Sequence, residues 1–158
     1  KAYRLISEFY EDIEITVFRK DLGHIATIEE LHSLSRKKRH TRLDAIKDTC
    51  RAYIHETLLG QFENVAITVF AESRIETNAS RIVVDPDDPD GQTLLFWYPT
   101  VTAANDDYVR PAVQIEAGAK SALDPHEELT IRPYVSDDLP RLSLAAENVT
   151  TVAAERTF

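Results

Sequence analysis

Residues 11–18, EDIEITVF, alternate strictly. Ile13, Ile15 and Val17 fall on one face of an extended chain, and Asp12, Glu14 and Thr16 on the other. A period of two points to a half-buried β-strand rather than a helix. It also sets two carboxylates side by side, with their Cβ atoms about 7 Å apart. Like charges so placed repel each other unless solvent or a cation lies between them. Two readings are open: an edge strand with a solvated outer face, or a strand whose polar face holds a divalent ion.

A second segment has the same character. In PAVQIEAG, residues 111–118, Val113 and Ile115 share one face while Gln114 and Glu116 share the other, so Glu116 is a lone acid in an apolar strand. If that strand neighbours the first, Glu116 supplies a third carboxylate to Asp12 and Glu14. Three oxygen ligands suit a hard ion such as Mg²⁺ or Mn²⁺, held by carboxylates, water and substrate phosphates. Gly118 follows, where backbone can approach a ligand closely.

The remaining pattern predicts further elements. Ala2, Leu5, Ile6 and Phe9 are spaced as on a helix, and Asp21-Leu22-Gly23 reads as a turn. Thr27 with Glu30 forms a capping-box signature. A longer helix is expected from about Thr41 to Gly60, with Leu43, Ile46, Cys50, Tyr53, Ile54 and Leu58 as its apolar stripe and Gly60 as its stop. Strands are expected at 65–71, 81–84, 93–98, 111–117 and 129–135, and residues 145–157 fit a strand or the approach to a helix. DPDDPDGQ, 85–92, is a turn by composition; its Pro89 occupies a position where a calcium-binding loop needs a ligand. Helices mixed with several strands imply an α/β (α+β) class with a mixed β-sheet flanked by helices.

At 158 residues the chain is the size of one domain. No run of about 18 apolar residues is present, and no leader-like start is seen. Cys50 alone excludes an internal disulfide and fits a reducing cytoplasm. The net charge of −9 argues against a dedicated nucleic-acid binder. Against that background SRKKRHTR stands out, with Arg36, Lys37, Lys38, Arg39 and Arg42 as candidate RNA contacts or as the solvated start of a helix. The five histidines show no paired metal spacing, and the aromatics of LLFWYP read as sheet and core residues.

The segment KAYRLISEFYEDIEITVFRKDLG resembles the AbiEii/AbiGii toxin family of nucleotidyltransferases, where an RFSEDID-like strand carries an acidic pair. The likeness continues through SRKKRHTRLDAIKDTCRAYI, LLFWYP, YVRPAVQIEAGAKS and AAERTF. The resemblance implies a nucleotidyltransferase fold, a divalent metal on the acidic pair, and nucleotide transfer from an NTP to an acceptor such as RNA. Its setting would be bacterial toxin–antitoxin or abortive-infection systems, with a cognate antitoxin gene product as partner. By the same analogy Glu116 approaches the acceptor hydroxyl or a second metal, and Lys120 and Lys1 approach the phosphates. Three departures are visible: Glu8, Tyr10 and Glu14 stand where the family pattern has Arg, Ser and Asp. The family's Gly-Gly-Ser/Thr phosphate turn and its C-terminal helical half do not occur in the sequence, so a partial domain with weak activity is expected. A non-catalytic remnant that keeps the fold, or a metal-dependent nuclease using the same acids, are the alternatives.

Overall fold

The computed structural model describes residues 12–24, 27–74, 76, 80–99, 111–119 and 125–153. The expected helix over residues 1–9, Lys1, Lys120 and residues 154–158 of the terminal AAERTF segment fall outside these residues. The chain forms two compact units: Tyr10–Ala122, and Leu123–Phe158 together with Lys1–Phe9.

The larger unit is built on a four-stranded mixed sheet of order β1-β4-β3-β2, with β1 at Asp12–Thr16, β2 at Arg81–Val84, β3 at Thr93–Trp97 and β4 at Ala112–Gly118. β4 pairs with β1 in parallel and with β3 antiparallel; β2 pairs with β3 antiparallel. All four strands fall where alternation or a short apolar run predicts them. A turn at residues 19–23 follows β1, with Gly23 at φ +75°, a conformation that favours glycine.

Helix α1, Ile28–Ser33, starts on the predicted capping box: the Glu30 N–H donates to Thr27 Oγ1 at 3.1 Å, and the Thr27 N–H donates to the Glu30 carboxylate at 3.0 Å. Helix α2, Arg36–Tyr53, begins a turn and a half earlier than expected. Its Ile46 and Cys50, with Ile54 just beyond its end, are spaced i, i+4, i+8, fully buried and packed against Ile82, Leu94, Ile115 and Ala117. Ile15 of β1 packs on the same cluster. By strand parity the apolar face of the sheet therefore lies under α2, and Asp12, Glu14, Gln114 and Glu116 belong to the opposite face.

Two expectations are corrected here. Gly60 does not stop the helix: α2 passes through a π-helical segment, Ile54–Leu58, into α3, Leu59–Ser73. Nor is VAITVFA a strand; residues 65–71 are helical. Its β-branched run suits either state locally. The core decides, because Phe62, Ala66 and Phe70, four apart, form an inward stripe only on a helix. Val65, Ile67 and Val69 are left 59%, 55% and 49% exposed. The helix ends on Arg74, which adopts the left-handed conformation (φ 57°) and donates its N–H to the carbonyls of Phe70 and Ala71.

In the smaller unit, β5 (His126–Ile131) pairs antiparallel with β6 (Ala146–Val152). The strand expected at 129–135 thus lies earlier in the chain and stops before Pro133, which has no N–H to donate. A single helical turn, α4 at Val135–Asp138, follows instead.

Candidate metal centre

The parallel pairing of β1 with β4 sets the site. In its register Asp12 faces Gln114 and Glu14 faces Glu116, so all four side chains project from one face of two adjacent strands. Oxygens of Asp12, Glu14 and Glu116 lie within 4.8 Å of one another. Asp12 is half-buried, and Glu14 and Glu116 are exposed. Among the described residues none of the three is in an ion pair. Two oxygens bound to one cation at about 2.0–2.6 Å can be at most about 4–5 Å apart, so this donor set fits a hard divalent ion with little side-chain adjustment. Gln114 adds a neutral donor at the rim: its Nε2 donates to Oε1 of Glu116 at 3.2 Å.

Glu14 and Glu116 open onto a cleft of about 400 Å³, whose other wall is the loop of residues 85–92. The loop is a turn, as its composition predicts, and Asp88 organises it. Asp88 Oδ2 accepts from the Gln92 N–H (2.7 Å), the Thr93 N–H (2.9 Å) and the Thr93 hydroxyl (2.8 Å), while Oδ1 accepts from the Asp90 N–H (2.8 Å). Burial pushes this carboxyl up, but the four donors outweigh it and hold its pKa below the ordinary value. Lys47 clamps the loop from α2 through a 2.8 Å bond to Asp90, which raises the lysine pKa. His55 Nε2, in the π segment, lies 2.8 Å from the Gly91 carbonyl oxygen. Gly91 has φ +62°, and a Cβ there would meet Arg51 Cδ at 3.2 Å. Sequence reasoning reached the turn but missed the role of Asp88. The signal was an Asp five residues before a strand-initial Thr, hidden among four equivalent acids.

The basic cluster is elsewhere. Arg36, Lys37, Lys38 and Arg42 are exposed on the first turns of α2, the helix that covers the other face of the sheet. Arg39 instead ties α2 to the end of α1. Its Nε donates to the Leu31 carbonyl at 2.9 Å, and its Nη2 to those of His32 (3.1 Å) and Leu34 (3.4 Å). These bonds satisfy carbonyls that the end of α1 leaves open. Cys50 is fully buried, as its place on the helical stripe predicts, and burial pushes its thiol pKa up. Phe96 stacks on Phe70 in the core at 6.1 Å, while Trp97, on the other face, lies under the Arg81 guanidinium at 5.0 Å. Gly118 is not required by crowding, since a Cβ there would meet nothing within 4 Å.

A mixed sheet with an acidic pair on one strand and a third acid on its neighbour, backed by helices on the apolar side, is consistent with a nucleotidyltransferase-like fold. The chain belongs to the family described as nucleotidyl transferase AbiEii toxin, type IV toxin–antitoxin system, whose model matches residues 3–158. No curated protein and no solved structure gives a significant match. Family membership supports a nucleotidyl-transfer toxin function.

Proposed function

We propose that this chain is a metal-dependent nucleotidyltransferase that moves a nucleotide from an NTP to a hydroxyl acceptor, RNA being the acceptor class. The convergence of Asp12, Glu14 and Glu116 within 4.8 Å, without a basic partner among the described residues, is the observation that supports it. Asp12, Glu14 and one oxygen of Glu116 would hold a divalent ion, Mg²⁺ or Mn²⁺, whose chemistry is to neutralise and orient phosphate oxygens. The acceptor oxygen attacks the α-phosphorus in line, the bond to the bridging oxygen breaks, and pyrophosphate leaves. Glu116 borders the same cleft and takes the proton of the attacking hydroxyl. Lys120 and Lys1 are assigned to the phosphates by family likeness alone. Arg36, Lys37, Lys38 and Arg42 are proposed contacts for the RNA backbone; Arg39 joins them only if it gives up its carbonyl partners. A cytoplasmic site of action and a cognate antitoxin belong to the same reading.

The test is incubation with each α-labelled NTP and total RNA, with and without Mg²⁺. Metal-dependent label transfer to RNA is expected, with a fall of about 100-fold or more in Asp12→Ala. Transfer unaffected by Asp12→Ala would overturn the assignment. Cleavage of RNA with metal and no NTP would make the protein a nuclease, and inactivity of the unaltered chain under all conditions would favour a non-catalytic domain.

A further inference from the structure

We infer that Gln114 is a positioning residue for the metal centre, acting through Glu116. The inference rests on the metal-binding reading above and goes beyond it, because Gln114 is not itself a ligand.

Three carboxylates whose oxygens approach within 4.8 Å repel one another, and among the described residues none of them is in an ion pair. Glu116 is exposed and has three rotatable side-chain bonds, so without an ion its lowest-energy response is to swing away from Glu14 into solvent. One contact opposes this. Gln114, two residues earlier on β4 and on the same face, donates Nε2–H to Glu116 Oε1 at 3.2 Å. The bond fixes the plane of the carboxylate and leaves its other oxygen for a cation. It also draws charge from Oε1, which lowers the repulsion towards Glu14.

The chemistry of position 114 is constrained. It lies opposite Asp12 in the β1–β4 register. A carboxylate there would add a fourth negative charge. An apolar side chain would release Glu116. A lysine or arginine would pair with the acids and compete with the ion. A neutral amide donates one hydrogen bond without neutralising the site. Groups that orient ligating carboxylates in this way are commonly worth 10–100-fold in metal affinity.

The experiment is calorimetric titration of the whole chain with Mn²⁺ alone, without nucleotide, alongside thermal melts. Asp12→Ala is expected to abolish binding. Gln114→Met, similar in length but without a donor, is expected to weaken binding by about 10-fold while leaving the metal-free melting temperature unchanged. In the Glu116→Gln background the Gln114→Met change should add no further loss, because the amide acts only through that carboxylate. If Gln114→Met lowers the melting temperature, Gln114→Thr, a good strand former too short to reach Glu116, replaces it in the same cycle. Intact Mn²⁺ binding in Asp12→Ala overturns the metal reading itself. Loss of binding in Asp12→Ala with Gln114→Met within twofold of the unaltered chain overturns the inference alone, as does an equal loss in the presence and absence of Glu116.

Discussion

Asp88 shows how much one side chain can fix. Its two oxygens take four hydrogen bonds from residues 90–93, closing a loop with two prolines that has little repetitive structure to hold it. Asp88→Ala leaves those donors to find water or go unpaired, at a cost of about 2 kcal/mol, measurable by urea denaturation. The pH dependence follows from the depressed pKa. The folded carboxyl gives up its proton more readily than the unfolded one, so its contribution is complete above the unfolded pKa. It is lost as pH falls through the folded value, below about pH 4. The unaltered protein should therefore lose stability in acid more steeply than Asp88→Ala. Cys50 gives a simpler test. Fully buried, with its thiol pKa raised, it should resist iodoacetamide in the native state and react once urea unfolds the chain.

At the level of elements, helix α3 departs furthest from expectation. Gly60 lies inside its first turn, with nothing within 4 Å of an added Cβ, so Gly60→Ala should raise stability by about 0.5–1 kcal/mol. Arg74 is the converse case, a non-glycine in the left-handed cap conformation, and Arg74→Gly should stabilise by a similar ~0.5–1 kcal/mol; thermal melts of both variants check the pair. A capping-box residue and a period of two are local signals, so the start of α1 and strands β1 and β4 were readable from the chain. Alternation puts Asp12 beside Glu14 and Gln114 beside Glu116, but that the two pairs meet depends on β4 lying next to β1, which spacing does not encode. Whether VAITVFA is helix or strand depends on Phe62 and Phe70 finding the core, which is a tertiary fact. The Gln114–Glu116 bond and the Asp88 network depend on rotamers and turn geometry, which spacing does not encode.

Across the larger unit, the sheet separates two environments. One face is apolar and covered by α2; the other carries the three acids, which on the proposed reading hold a cation. Without metal, Glu116→Gln should melt at the same temperature as the unaltered protein or slightly above it. If the site binds Mg²⁺ as proposed, Mg²⁺ at 100 times its dissociation constant should stabilise the unaltered protein by about 2.7 kcal/mol, an upward shift in melting temperature that Asp12→Ala should lack. The order of strands also has a temporal meaning. β1 is at the sheet edge, and its hydrogen-bonded neighbour is β4, roughly 100 positions later in the chain. During synthesis at about 5–20 residues per second, the first two acids leave the ribosome roughly 5–20 s before the third. A harmful activity built on all three would thus stay switched off in every unfinished copy, and come into being only when the last central strand slides into place.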